Sequence, residues 1–155
     1  MPKVNQKISP FLWFDEQAEE AANFYASLFE DSEITHVTPG PGGKAQWVSF
    51  SLAGQEFMAL NGGPQFTFNE ATSFFVRCKD QDEVDRLWAQ LTDGGEEGQC
   101  GWLKDRFGLS WQIIPDRLSE LLGDPDPARS QAAMQAMLAM HKIEIKTLED
   151  AADAA

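Results

Sequence analysis

The stretch Ser9-Pro10-Phe11-Leu12-Trp13-Phe14 begins a pattern of residues that starts again at Ser73. In each half of the chain an apolar strand is followed by an amphipathic helix, and then by further strands that contain a glycine turn. The first helix is predicted from about Ala18 to Phe29, where apolar residues recur at helical spacing. The second is predicted to begin after Asp80 or Asp82, either of which can cap it.

The two halves align at three offsets that decrease along the chain, because the second half has shorter loops. An offset of 64 pairs Ser9 with Ser73, Phe11 with Phe75 and Leu12 with Val76. An offset of 63 pairs the helix residues Ala21 with Val84, Phe24 with Leu87, Tyr25 with Trp88 and Leu28 with Leu91. An offset of 54 pairs Gly54 with Gly108, Phe57 with Trp111 and Met58 with Gln112. A repeat is favoured over two unrelated α+β pieces.

The sequence therefore predicts an α+β fold of two tandem βαβββ modules, at about residues 7–64 and 71–117, in a domain of residues 1–122. The strands are expected at 8–14, 33–38, 46–53 and 56–60, then at 72–79 and 109–114, with 97–107 as a strand or a loop. Gly54-Gln55 is interpreted as a hairpin turn and residues 39–43 as a loop. Each module leaves one apolar sheet face uncovered, so two modules, in one chain or two, are expected to form a curved mixed sheet around a cavity.

Charge and composition limit the partners. The chain has 155 residues and a formal net charge of −13, which disfavours nucleic acid and anionic membranes as partners. No apolar run approaches the ~20 residues of a membrane span, and the N-terminal residues lack a signal-peptide core. Cys78 and Cys100 are expected to be free thiols, and the cytoplasm is the predicted location.

The C-terminal part, residues 123–155, is predicted to be a helical arm that follows a proline-rich linker. A helix is expected from about Ala128 to His141, with Met134, Met137 and Leu138 at helical spacing. Such an arm is not stable alone, so it packs either on its own domain or on a partner chain. Residues 151–155 are expected to be frayed.

Several motifs together resemble a known superfamily. They are the segments 9–14, 20–25, 59–64, 68–71, 95–105 and 108–112, and the tail from Met134 to Leu148. This set resembles the vicinal oxygen chelate superfamily, which includes glyoxalases and extradiol dioxygenases, and within it the PhnB-like branch, known as a demethylubiquinone methyltransferase-type domain. The resemblance implies a homodimer with the C-terminal arm near its interface.

The metal enzymes of that superfamily place one ligand on each of four strands. The resemblance puts these positions at about Ser9, Met58, Ser73 and Gln112, and only Gln112 is a plausible ligand. The histidines are His36 and His141, and neither lies at a ligand position. We therefore predict no metal and no cofactor.

The pocket is predicted to be aromatic with a few polar groups, and to bind a small organic ligand. The predicted ligand-binding residues are Ser9, Trp13, Asn61, Phe68, Glu70, Ser73, Phe75, Cys100, Trp102 and Gln112. No catalytic residue is assigned: Lys104 can lower the pKa of Cys100, but the thiol has no histidine near it in the sequence. Lys104 and Asp105 are interpreted as an ion pair at a strand end.

Three functions stay open at this point. The first is a small-molecule-binding protein without a complete metal site. The second is an enzyme, either a metal-dependent lyase or dioxygenase relative or a methyltransferase, although Gly40, Gly42 and Gly43 are spaced as a loop and not as a methyl-donor motif. The third is an interaction module that acts through the C-terminal arm.

Overall fold

The computed structural model describes residues 6–155, and the first residues of the predicted polar N-terminus lie outside this range. The chain forms two compact units, the described residues up to Thr67 and Phe68–Ala155. Unit 1 contains β1 (Phe11–Phe14), α1 (Ala18–Leu28), β2 (Glu33–Pro39), a short 3-10 turn (Pro41–Gly43), β3 (Ala45–Leu52) and β4 (Gln55–Asn61). Unit 2 contains β5 (Ser73–Cys78), α2 (Gln81–Thr92), β6 (Glu96–Glu97), β7 (Trp102–Lys104), β8 (Ser110–Pro115), α3 (Asp116–Leu122), α4 (Pro127–Leu138) and α5 (Ile145–Asp153).

The two units contain sheets of the same topology, which confirms the repeat. Sheet 1 has the order β1-β4-β3-β2 and sheet 2 the order β5-β8-β7-β6. The parallel pair in sheet 1 places Phe11 opposite Met58, and the parallel pair in sheet 2 places Phe75 opposite Gln112. These are the residues that the offsets of 64 and 54 align, so the two modules also share their strand register.

In each unit a helix covers one face of the sheet. Helix α1 buries Ala18, Ala21, Ala22, Tyr25 and Leu28, whereas α2 buries Val84, Leu87, Trp88 and Leu91. Leu12 and Phe14 of β1, and Trp111 and Ile113 of β8, are also buried. Since side chains alternate along a strand, Trp13 of β1 and Gln112 of β8 lie on the face of their own sheet that the helix does not cover. The apolar helix faces predicted from the sequence are thus confirmed.

Element boundaries differ from the predictions at the start of β1 and at the hairpin turn between β3 and β4, and the structure decides between the two possible caps of α2. Strand β1 begins at Phe11 and not at residue 8, and Ile8 is 84% exposed. The hairpin turn is Ala53-Gly54 and not Gly54-Gln55, since both residues have positive φ, as a two-residue turn that follows the strand twist requires. Of the two possible caps of α2, Asp80 is the one used, and its side chain accepts a hydrogen bond from the Glu83 amide.

The C-terminal helices pack on their own unit. A buried cluster joins Ile114 of β8 to Leu118, Leu121, Ala133, Met140, Ile143, Leu148 and Ala152. Helix α4 ends at Leu138 and not at His141, because the chain leaves the helix to bury Met140 and Ile143. Fraying from residue 151 was a wrong prediction, since α5 continues to Asp153 with Ala152 buried. Met134 and Leu138 stay exposed on α4, and the homodimer stays a prediction.

Within residues 6–155, no helix combines the length and the apolar character needed to cross a membrane.

Candidate functional site

The face of sheet 2 opposite α2 carries a row of three residues from three adjacent strands. Gln112 in β8 lies opposite Phe75 in β5 and opposite Trp102 in β7. We call Phe75, Gln112 and Trp102 the Gln112 row, and this side of the sheet the Gln112 face. Phe75 is 53% exposed, and Gln112 and Trp102 are half-buried. An aromatic side chain therefore stands on each side of one primary amide.

Next to this row lies a second one, formed by Ser73, Ser110 and Lys104. The Gln112 amide nitrogen Nε2 donates a hydrogen bond to the Ser73 hydroxyl at 3.0 Å. The hydroxyl of Ser110 is buried and has no hydrogen-bond partner among the described residues. Buried polar groups are nearly always paired in native proteins, so Ser110 has an unused hydrogen-bonding capacity on the Gln112 face.

Two further polar atoms of the Gln112 row are unpaired. Neither the side-chain oxygen Oε1 of Gln112 nor the indole Nε1 of Trp102 hydrogen bonds to any residue between 6 and 155. Oε1 is an acceptor and the indole N–H is a donor. The row thus presents one acceptor and one donor beside two aromatic rings.

Lys104 is not free to attract an anion. Its ammonium forms an ion pair with Glu70 at 2.9 Å, and Glu70 lies in the segment that precedes β5. The hydrogen bond from Lys104 lowers the pKa of the Glu70 carboxyl, and the same bond raises the pKa of Lys104. The predicted ion pair between Lys104 and Asp105 is wrong, because the Lys104 ammonium pairs with Glu70 whereas the Asp105 carboxylate is buried and accepts other hydrogen bonds.

Asp105 instead lies in the core of unit 2, where it is 3% exposed. Its carboxylate accepts hydrogen bonds from the amides of Phe107 and Leu109 and, at 2.9 Å, from the indole of Trp111. This carboxylate fixes the turn between β7 and β8, and therefore the pairing of Trp102 with Gln112. This role of Asp105 was not predicted, although an aspartate two residues before a Phe-Gly turn is a typical signal in the sequence.

Cys100 lies on the turn that leads into β7, and it is half-buried with a φ of 57°. The structure brings His141 to this turn, a neighbour that sequence spacing did not predict. The His141 ring binds the carbonyl oxygen of Gly98 at 2.7 Å, and no described hydrogen bond joins it to the thiol. Burial raises the pKa of the other thiol, Cys78, to about 12, so that thiol stays protonated at neutral pH. Neither cysteine has the arrangement of an activated nucleophile.

Unit 1 has its own aromatic residues on the equivalent face of sheet 1. The Trp13 indole donates to the Gly63 carbonyl at 2.9 Å, and its ring meets Phe66 edge to face. A side chain at Gly62 would overlap the Trp13 ring. Ser9, which precedes β1, accepts a hydrogen bond from Gln6.

Asn61 is occupied by structural hydrogen bonds within unit 1. Its Oδ1 accepts from the Ala18 amide at 2.8 Å, and its Nδ2 donates to the Ala45 carbonyl at 2.6 Å. The side chain thus joins the start of α1 to the start of β3.

Of the ten predicted ligand-binding residues, sheet 2 brings four together. Ser73, Phe75, Trp102 and Gln112 lie on one face, and Glu70 reaches that face through Lys104. Phe68 lies half-buried before β5, and Cys100 is two residues before Trp102. Ser9, Trp13 and Asn61 belong to unit 1.

The donors at the four implied metal positions do not fit a divalent metal. Met58 offers a thioether, Ser9 and Ser73 offer hydroxyls that accept hydrogen bonds from glutamine amides, and Gln112 offers one amide oxygen. First-row metals prefer imidazole, thiolate or carboxylate ligands. In residues 6–155 no group of three or more His, Cys, Asp or Glu side chains is placed to hold a metal ion.

Comparison with known proteins gives a family assignment. The family model described as 3-demethylubiquinone-9 3-methyltransferase matches residues 6–114. None of the curated proteins matches. The match ends before α3, so the tail from Met134 to Leu148, which was expected to resemble the same branch, lies outside it.

Solved structures agree with the family model. The PhnB protein from Bacillus cereus, which carries the same methyltransferase label, is 36% identical with a TM-score of 0.68, over 71% of this chain and 99% of that one. Protein PA1353 from Pseudomonas aeruginosa is 21% identical with a TM-score of 0.60, over 72% of this chain and 98% of that one. The fosfomycin resistance protein FosX from Listeria monocytogenes is 14% identical with a TM-score of 0.56, over 78% of this chain and 99% of that one. The last two show the fold alone. The chain belongs to the PhnB-like family of the vicinal oxygen chelate superfamily, the family described as 3-demethylubiquinone-9 3-methyltransferase.

Proposed function

We propose that this protein binds a small planar ring compound on the Gln112 face of sheet 2, without a metal ion. The observation that carries the proposal is the Gln112 row, in which two aromatic side chains stand on either side of an amide with an unpaired acceptor. Binding sites for organic ligands commonly combine apolar walls with a few polar groups that orient the ligand.

The spacing of the row suits one ring. Neighbouring strands lie ~4.8 Å apart, so Phe75 and Trp102, two strands apart, are separated by roughly 10 Å at the backbone. Side chains stand nearly perpendicular to a sheet, which leaves a gap above Gln112 between the two rings. A flat ring stacked between them makes two aromatic contacts, each contributing about 0.5–1.5 kcal/mol beyond its buried area.

The polar atoms on the face suit a ligand that has both a donor and an acceptor. A ligand hydroxyl can donate to Oε1 of Gln112, and a ligand carbonyl can accept from the Trp102 indole. Because Glu70 neutralises Lys104, the charge of this part of the face favours an uncharged ligand. Hydroxylated aromatic compounds and cyclic ketones have these properties.

A thermal-shift panel tests the proposal. We expect at least one substituted phenol, quinone or fused-ring ketone to raise the melting temperature in the presence of EDTA. At a hundredfold excess over Kd, binding adds about 2.7 kcal/mol of stability, which raises the melting temperature by roughly 5–10 °C in a chain of this size. The proposal would be contradicted if no ring compound raised the melting temperature, or if EDTA abolished the stabilisation.

S-adenosylmethionine belongs in the same panel because of the family description. In unit 1 the glycine-containing segment Gly40–Gly43 forms a short turn that leads directly into β3, and not into a helix. A helix N-terminus after such a loop is the usual cradle of nucleotide-like cofactors. We therefore expect no stabilisation by S-adenosylmethionine, and a clear shift would favour the methyltransferase function instead.

A further inference from the structure

We infer that the C-terminal extension, residues 115–155, is a positioning element of the Gln112 face that acts on Trp102. The family match ends at residue 114, and this extension continues unit 2 beyond it. Its segment Met140–Glu144 lies between α4 and α5 and contacts the turn Gly98–Gly101, which leads into Trp102. The effect of the extension on ligand affinity rests on the proposed function, whereas its effect on the position of Trp102 does not.

Three hydrogen bonds hold the turn to the extension. The amide of Cys100 donates to the Met140 carbonyl, and the amide of Gly101 donates to the His141 carbonyl, both at 2.8 Å. The ring nitrogen Nδ1 of His141 lies 2.7 Å from the carbonyl oxygen of Gly98. A carbonyl oxygen only accepts, so Nδ1 of His141 carries the hydrogen.

The turn has a backbone conformation that needs such support. Cys100 and Gly101 have consecutive positive φ values of 57° and 85°. For a residue with a β-carbon such as Cys100, this left-handed conformation is strained, because the β-carbon crowds the following carbonyl oxygen. A β-carbon at Gly101 would lie 2.7 Å from Ile114 and 3.1 Å from Ile143, so only glycine fits between the strand and the extension. The amide of Trp102 then donates to Gln99, and β7 begins.

The segment that holds the turn is itself fixed to the rest of unit 2. Ile143 is fully buried. The Gln81 side chain at the start of α2 donates to the Ile143 carbonyl at 2.9 Å and accepts from the Ile145 amide at 2.7 Å. Lys142 forms an ion pair with Asp85 at 2.8 Å, and this hydrogen bond lowers the pKa of the Asp85 carboxyl. The extension thus links α2 to the turn, so that the position of the turn depends on the contacts between α2 and the extension.

The position of Trp102 opposite Gln112 therefore depends on residues far along the chain. His141 is exposed and is not part of the Gln112 row, so it is a positioning residue that acts through Gly98. Removing its ring frees the carbonyl of Gly98 without opening a cavity in the core. The other two hydrogen bonds involve backbone atoms and stay in place, so unit 2 is expected to keep its fold.

Fluorine NMR of protein labelled with 5-fluorotryptophan tests the inference directly. The chain has five tryptophans, and a Trp102→Phe variant assigns the signal of interest. In His141→Ala we expect the Trp102 signal to shift or broaden while the signals of Trp13 and Trp47, both in unit 1, stay unchanged. His141→Gln, which keeps an N–H donor, is expected to restore the wild-type signal, and His36→Ala in unit 1 is the matched control. A Trp102 signal in His141→Ala that coincides with the wild-type signal overturns the inference.

Titration with a ring compound that binds the wild type separates this inference from the proposed function. We expect His141→Ala to weaken binding at least threefold and His36→Ala to leave it unchanged. If Trp102 responds to His141→Ala but no compound binds the wild type, the positioning role stands and the proposed function fails. If a compound binds both proteins equally well, the positioning role in binding is wrong and the proposed function stands.

Discussion

Replacing Asp105 by alanine is expected to lower the free energy of unfolding by about 3–5 kcal/mol, the largest stability effect that we predict for a single polar residue. The substitution leaves the indole of Trp111 and the amides of Phe107 and Leu109 without their acceptor inside unit 2. Buried donors without a partner have a high desolvation cost. Urea unfolding followed by tryptophan fluorescence measures the change.

Two further variants serve as controls for the Asp105→Ala measurement. Asp93→Ala removes an exposed aspartate after α2 and is expected to change stability by less than about 0.5 kcal/mol. Asp105→Asn keeps one acceptor but places an N–H₂ group opposite a donor, so we expect an intermediate loss. A stability of Asp105→Ala within about 0.5 kcal/mol of the wild type would show that this carboxylate does not hold the turn.

Replacing Gln112 by leucine is expected to weaken ligand binding by about tenfold to a hundredfold. The substitution removes the acceptor Oε1 from the Gln112 row while keeping a side chain of similar volume. A site that forms a hydrogen bond with its ligand loses about 1–3 kcal/mol when one partner is removed, which corresponds to this range. Isothermal calorimetry with the strongest ring compound of the panel measures the affinity.

The same variant has a modest expected effect on stability. Gln112→Leu also removes the hydrogen bond to Ser73, which is worth about 1 kcal/mol in a half-buried position. The matched control is Gln90→Leu, since Gln90 is exposed on α2, on the other side of sheet 2. Equal affinity of the wild type and Gln112→Leu would remove Gln112 from the site, whatever the change in melting temperature.

The repeat could be predicted from the sequence because it depends on local patterns. Each strand, helix and glycine turn has its own signal within a few residues, and the order of these signals repeats. In β8 the strand alternation puts Gln112 and Ile114 on one face and Trp111 on the other, and Ile114 packs in the cluster with the C-terminal helices. The predicted ends of strands were less accurate where they depend on the preference of a single residue. The Ala53-Gly54 turn is an example, because alanine has no strong preference for a turn.

The site was harder to predict because it depends on contacts between distant residues. Nothing in the sequence places His141 beside Gly98, 43 positions away. Asn61 has the typical character of a binding residue, yet both ends of its amide are used to join α1 to β3. Ser110 was not considered, because an unpaired hydroxyl is recognised only after its surroundings are known.

A crystal structure of the protein with the strongest ring compound from the panel, grown in the presence of EDTA, shows whether the Gln112 row holds the ligand. We expect the ring between Phe75 and Trp102, with its polar edge within hydrogen-bonding distance of Gln112 Oε1. An ordered water is expected on the buried Ser110 hydroxyl. A compound bound elsewhere on the chain, with the Gln112 row unoccupied, would contradict the proposed function.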